Sequence, residues 1–455
     1  MLDPRYASLL TDALSRLDGW REAFGPFDVH PSMQVDETAL REALERYTDR
    51  LTGNYPFFHP RYAGQMLKPP HPAAWLGYAL AATINPNNHA LDGGPPTSAM
   101  EKELMPKLGR MFGFETPLGH LTSSGTVANL EALYIAREET PGRGIAVSAA
   151  GHYTHTRMAK VLGVEAAVIP TDARDRMDLD ALEAALKTGR IGTVVATAGT
   201  TGLGAVDAVD EIVPLAWRYG ARVHVDAAYG GFFSILARAG SDLLDEATRR
   251  AFVAIEDADS VVVDPHKHGL QPYGCGAVLF NDPAVARHYL HDSPYTYFTS
   301  DDLHLGEISL ECSRAGAAAG ALWLTLELLP LEADRGFGPV LAACLRAART
   351  FADAVDASER LRLVRRPTLD LVGYFPAAPT ASEVSHRSTA LFDAAMSAPP
   401  GDAVFVALYA TAADRLPGVT PDEPTARVLR SVLMKPEHEA HAAEIVQRLD
   451  GWAGA

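Results

Sequence analysis

The sequence predicts an α/β protein built on a mainly parallel sheet covered by helices, with a helical segment before it and a small α/β unit after it. Three observations carry this. From about 115 to 282, short Val-rich runs alternate with amphipathic stretches. Those runs lack in/out alternation, which marks strands buried on both faces. The chain on either side changes pattern, at a Pro-rich stretch near 59–72 and after a long Ala/Leu stretch at 310–329.

Residues 1–58 read as an N-terminal helical segment, because Leu9, Leu10, Ala13, Leu14 and Leu17 recur at helical spacing. Residues 59–330 read as the large unit. Its strand candidates are "GIAVSAA", "AAVIPT", "IGTVVATAG", "RVHVDAAYG", "SVVVDPHK" and "GAVLFND", with helical patterns such as "DLDALEAALKTG" between them. Residues 331–455 read as a smaller unit holding "LDLVGYF", "VFVALYA" and the closing helix "EHEAHAAEIVQRL". In an open parallel sheet, ligands sit at the carboxyl ends of strands, so the residues just after each run are where chemistry is expected.

Composition narrows the function. A formal net charge of -17 repels phosphate backbones and anionic lipid, which argues against nucleic-acid and membrane partners. The three cysteines, Cys275, Cys312 and Cys344, are widely spaced with no C-x-x-C, which fits a reduced compartment. No signal-peptide pattern opens the chain and no long uncharged apolar stretch occurs, so a cytoplasmic enzyme or binding protein is expected.

Four stretches each follow a strand pattern and ask for a ligand. In "SVVVDPHKHG", Lys267 is alone among seven lysines in following a buried run directly. Desolvation lowers an amine's pKa and makes it a nucleophile, so a neutral, covalently reactive Lys267 is expected, against the plainer reading of a surface lysine. His266 and His268 also permit a metal site with His152 or His155, although H-x-H alone says little. In "HLTSSGTVANLEALYIAR", Thr122, Ser123, Ser124, Gly125 and Thr126 stand immediately before an amphipathic helix pattern and could cradle a phosphate, where an ordinary helix cap is the commoner meaning. In "RVHVDAAYGG", Asp226 is a lone acid ending an apolar strand, with Ala228 on the same face. A carboxylate there needs a cation or hydrogen bonds, and a protonated pyridine would serve. In "AAGHYTHTRMAK", His152 could stack on a flat ring. Together they offer phosphate cradle, stacking face, pyridinium partner and amine, the set required by pyridoxal 5'-phosphate.

On these residues, and on "HPRYAGQ", "NPNNHALDGGPPTSAMEKELMPKLGRMFGF" and "DPHKHGLQPYGCGAVLF", the chain resembles the group II pyridoxal-phosphate-dependent amino-acid decarboxylases over roughly residues 59–330. The resemblance implies fold type I and a homodimer with the active site at the subunit boundary. It implies Lys267 as the cofactor's covalent anchor, Asp226 on the pyridine nitrogen and His152 stacked above the ring with Ala228 below. Gly125, Thr126 and His266 would hold the phosphate, and Thr200 in "TAGTTGLG" would lie beside the cofactor. Tyr295 and Tyr297, in "HDSPYTYFTSDDL", are the candidates for returning a proton to Cα. Gln65, Lys68 and Arg314 are the candidates for binding substrate, and no metal is expected.

The implied reaction is α-decarboxylation of an L-amino acid to an amine and CO2, inclining to an aromatic amino acid. Acidic and basic substrates stay open. Within the same cofactor class, a C–C lyase resembling sphingosine-phosphate lyase or an aldehyde synthase would use similar residues. Outside it, a zinc hydrolase on His266, His268 and a third histidine is the alternative. A nicotinamide dehydrogenase fits poorly, because "GTTGLG" lacks the G-x-G-x-x-G spacing.

Overall fold

The computed structural model describes residues 3–289 and 303–454. Seven strands form the large sheet: β1 (Leu118–Thr122), β2 (Gly144–Ser148), β3 (Ala166–Ile169), β4 (Ile191–Thr197), β5 (Arg222–Asp226), β6 (Ser260–Val263) and β7 (Gly276–Phe280). Their spatial order is β1-β7-β6-β5-β4-β2-β3. β2 to β6 run parallel to one another, while β7 pairs antiparallel with both β6 and β1.

The missing alternation in the sequence has its cause in this packing. Val261 and Val263 of β6 join the main core, while Val262 between them packs with Ala128, Ala132 and Ile135 on the opposite face. Both sides of the strand are therefore covered, and every residue of it is apolar or small.

The helices preceding and flanking the sheet are α1 (Pro4–Glu22), α2 (Glu37–Leu51), α3 (Pro72–Ile84), α4 (Pro95–Phe112), α5 (Gly125–Glu139) and α6 (Thr154–Leu162). α2 begins where Asp36 accepts the Ala39 N–H at 2.8 Å. Leu9, Trp20, Leu40, Leu44 and Tyr47, on these first two helices, are all exposed. No helix among the described residues is long and apolar enough to cross a membrane.

A second, antiparallel sheet has the order β10-β11-β9-β8, from β8 (Leu361–Leu363), β9 (Leu371–Pro376), β10 (Ala407–Ala412) and β11 (Thr425–Val432). The helices Phe337–Asp356, Ala381–Ser397 and His438–Ala453 accompany it. Residues 61–64, read from the sequence with the large unit, run beside this small sheet instead. Phe405 N–H donates to Arg61 O at 2.9 Å, Ala63 N–H to Phe405 O at 2.8 Å, and Val432 N–H to Ala63 O at 2.8 Å.

Candidate active site

Thr197, Asp226 and Val263 end β4, β5 and β6 side by side, and the segments that follow them meet the N-terminus of α5. A cavity of about 200 Å³ opens there. Gly125, Thr126, His152, Asp226, Ala228, His266 and Lys267, all singled out from the sequence, line it together. Ser124, Asn129, Thr197, Gly199, Thr201 and Asp264 complete most of the wall.

At the end of the cavity formed by α5, Ser124 caps the helix by accepting the Val127 N–H at 3.3 Å. That leaves N–H groups of the first turn facing the cavity, where the helix dipole favours an anion. Gly125 is required for space: a Cβ there would lie 2.6 Å from both carboxylate oxygens of Asp264. His266 closes this end, its Nδ1 set 2.7 Å from the Cys275 carbonyl.

At the ring end, Asp226 is buried, and its Oδ2 stands 2.8 Å from His155 Nε2. Burial pushes the carboxyl pKa up, but the His155 hydrogen bond and charge and the Lys267 ammonium outweigh it and hold the group well below the usual range. Asp226 is thus kept ionised and fixed in orientation, as a partner for a protonated ring nitrogen must be. Burial lowers the pKa of His152, so its imidazole is a neutral flat face at neutral pH. The Oγ1 of Thr197 and Oδ1 of Asp264, on the wall of the same cavity, are buried without a hydrogen-bond partner among the described residues. A phosphate cradle, a fixed carboxylate, a neutral imidazole, a lysine and unsatisfied polar atoms all fit pyridoxal phosphate.

Lys267 differs from the sequence expectation. Its Nζ lies 2.8 Å from Asp264 Oδ2. Burial lowers its pKa, but Asp264 and Asp226 more than offset that, and the net shift is upward. The amine of the unliganded chain is a held ammonium, because a carboxylate three residues earlier neutralises the cost of burying it.

Four other expected residues are placed differently. Thr200 does not line the cavity: its hydroxyl accepts the Ala205 N–H at 2.9 Å, and Thr201 faces the cavity in its stead. Arg314 is buried against Glu101, 2.5 Å away, and the Leu121 carbonyl. Lys68 donates to the Met434 carbonyl at 3.1 Å and lines a separate apolar cavity. His268 faces Asp370 rather than His266, so the two histidines do not converge, and no group of three or more His, Cys, Asp or Glu among the described residues could hold a metal. Tyr295 and Tyr297 lie outside the described residues.

Three residues have roles at the site that the sequence reading did not assign. Asp264 and His155 carried a signal, each an ionisable group within a few residues of a strand end. Arg430 carried a fainter one, as a charge inside the buried pattern of β11. It is buried, donates to Thr201 O at 2.7 Å and to Gln65 Oε1 at 2.8 Å, and has no ion-pair partner among the described residues. Arg430 therefore places a guanidinium without an ion-pair partner among the described residues behind Thr201, with the expected Gln65 beside it; neither side chain lines the cavity itself.

A family model described as "Pyridoxal-dependent decarboxylase conserved domain" matches residues 51–375. An L-tyrosine decarboxylase of Enterococcus faecium is 28% identical over 460 aligned residues, covering 78% of this chain and 75% of that protein. A probable L-aspartate decarboxylase of Halobacterium salinarum is 32% identical over 300 residues, covering 65% of this chain and 80% of that protein. In fold, the crystal structure of mouse CSAD matches with a TM-score of 0.77 at 22% identity, covering 94% of this chain and 91% of that one. The crystal structure of Oryza sativa TDC with PLP and tryptamine matches with a TM-score of 0.77 at 19% identity, over 98% and 97%. These folds are the fold type I arrangement expected above.

Proposed function

Because the chain belongs to the pyridoxal-dependent decarboxylase family, and is thereby a pyridoxal-phosphate-dependent amino-acid decarboxylase, we propose that its substrate is an L-amino acid with an uncharged aromatic side chain. One observation carries this reading. Arg430 is a buried cation that donates to the carbonyl of Thr201 on the cavity wall and has no carboxylate partner among the described residues, whereas Arg314 is neutralised by Glu101 and Lys68 is turned away. One guanidinium answers one carboxylate, the α-carboxylate common to all amino acids. An acidic side chain would need a second. Tyr273, exposed and with its ring 4.8 Å from that of His266 on the cavity wall, offers a flat surface to an aromatic ring.

The bound cofactor supplies the electron sink that accepts the electron pair left when CO2 departs. In this reading Lys267 is its covalent anchor, and Asp264 Oδ2 holds the proton of Lys267 Nζ beforehand. Asp226, oriented by His155, keeps a proton on the ring nitrogen. His152 would cover one ring face and Ala228 would leave room on the other, while Gly125, Thr126 and His266 would hold the phosphate. Arg430 and Gln65 orient the substrate's α-carboxylate, and Thr200 acts only by closing the turn that carries Thr201. Tyr295 or Tyr297 returns the proton to Cα.

The proposal includes a homodimer in the cytoplasm. The exposed apolar residues of α1 and α2 suit burial against a second copy, and Cys275, Cys312 and Cys344 are all free thiols. The test is CO2 release by the pyridoxal-phosphate-loaded protein from tyrosine, tryptophan and phenylalanine against aspartate, glutamate and lysine. Aromatic substrates are expected to exceed the others by about tenfold or more in kcat/KM. A faster acidic substrate would reverse the reading in favour of the aspartate-decarboxylase likeness. Amine as product, with no aldehyde, separates decarboxylation from aldehyde synthesis.

A further inference from the structure

His268 sits between the anchor lysine and a glycine, and the reaction gives it nothing to do. Its imidazole is fully buried, with Nε2 3.1 Å from Asp370 Oδ2. Two aromatic rings hold it edge-on, Tyr229 at 68° and Phe233 at 62°, each with its centroid 4.8 Å away. The hydroxyl of Tyr229 donates to the other oxygen of the same carboxylate, Asp370 Oδ1, at 2.7 Å.

The three residues come from different places. Tyr229 directly follows Ala228 on the cavity wall, and His268 directly follows Lys267. Asp370 belongs to the other sheet: it precedes β9, and its carbonyl accepts the Leu433 N–H, just past β11, at 2.8 Å. Its neighbour Leu369 packs on the same turn, within 3.2 Å of where a Cβ on Gly199 or Gly230 would stand. One carboxylate of the small sheet therefore grips the two large-sheet segments that present the covalent anchor and the face opposite His152.

A buried carboxylate is costly without partners, and here the Tyr229 hydroxyl donates to one oxygen while the His268 imidazole lies 3.1 Å from the other. Moving Asp370 relative to the large sheet would take a buried carboxylate away from the Tyr229 hydroxyl that donates to it and from the His268 ring packed 3.1 Å from it, so the small sheet and the two segments move together or not at all.

We propose that Asp370 is a positioning residue that, through His268 and Tyr229, fixes Lys267 and Ala228 against each other and ties their placement to the small domain. This rests on the assignment of Lys267 and Ala228 to the cofactor in the reading above.

The test uses the full chain, both without cofactor and loaded with pyridoxal phosphate, in Asp370→Asn and Tyr229→Phe forms. Tyr229→Phe keeps the ring and removes one hydroxyl, so it remains informative if Asp370→Asn folds poorly. Hydrogen exchange of residues 226–233 and 264–271 in the cofactor-free protein is expected to rise about tenfold in Asp370→Asn, as for loss of a charge-assisted hydrogen bond, and less in Tyr229→Phe. In the loaded protein, the visible circular dichroism of the bound cofactor should fall, and kcat should drop by about ten- to a hundredfold with KM little changed.

Exchange that rises equally over the whole chain would reduce Asp370 to a general stabiliser and overturn the proposal. So would unchanged exchange at these two segments in both variants. The exchange measurement is made without cofactor, so it decides the clasp even if borohydride fixes no cofactor at Lys267, the result that would instead sink the reading of the site.

Discussion

Two cavities of this molecule each contain lysine largely withdrawn from water, and they treat it in opposite ways. In the cavity at the strand ends, Lys267 meets Asp264 at 2.8 Å and its pKa rises. In the apolar cavity lined by Trp75, Val340 and Leu270, Lys68 and Lys435 have no ion-pair partner among the described residues. There burial dominates, lowering Lys68 and pushing Lys435 down to about 7. Burial alone does not decide the charge of an amine; the nearest carboxylate does. In the reading proposed above, the reactive lysine is the one whose proton is held by a neighbour able to accept it, and the amines with lowered pKa lie in the other cavity.

The hardest way to break this contrast is Lys267→Ala. If only Lys267 is the anchor, activity should fall by at least about a thousandfold, and borohydride treatment should leave no cofactor mass on the chain. Cofactor fixed at Lys68 or Lys435 in the wild-type protein would show that the amines of the apolar cavity are the reactive ones, and the roles of the two cavities would be exchanged.

Asp264→Asn sharpens the same comparison with a smaller effect. It keeps the shape beside Gly125 and removes the charge that raises the Lys267 pKa, so the amine should lose its proton at lower pH. Capture of pyridoxal by the cofactor-free protein should then reach its half-maximal rate at a lower pH than in the wild type. On the acid side of the midpoint, a pKa lower by about 1 leaves about tenfold more free amine at any given pH. A midpoint that stays put would mean that Asp226, not Asp264, sets the proton on Lys267.

How far the sequence carried can be read from these same residues. The buried runs of β2, β4, β5 and β6 were legible, because helices on both faces leave an unbroken Val-rich signature. The antiparallel insertion of β7 was not, since a strand covered on both faces looks the same in either direction. Asp226, His152 and Lys267 were legible as polar groups ending apolar strands. Their modulators were not: Asp264 reaches Lys267 only once the DPHK turn folds back, and His155 reaches Asp226 from 71 residues away. Lys68 and Arg314 show the limit most clearly. Each was a reasonable cation for a substrate carboxylate, yet Arg314 is claimed by Glu101 and Lys68 by a backbone carbonyl, contacts that span 213 and 366 positions.

The mildest perturbation tests the second cavity alone. Lys435 carries a depressed pKa, so below about pH 7 it is charged in both folded and unfolded chains and the folded state bears the full cost of a buried cation. Between that value and its ordinary 10.5 the folded chain gives up the proton first, and the cost fades as pH rises. Lys435→Met removes the cost and also a hydrogen bond to the Tyr62 carbonyl, worth about 1 kcal/mol. His438 Nε2, 3.3 Å from the same oxygen, stays to contact it. The variant should therefore melt at a higher temperature than the wild type near about pH 6, with the gain shrinking toward about pH 9.5. A gain of equal size at both ends would mean that the methionine merely packs better, and that Lys435 has a partner which keeps it charged as Asp264 keeps Lys267.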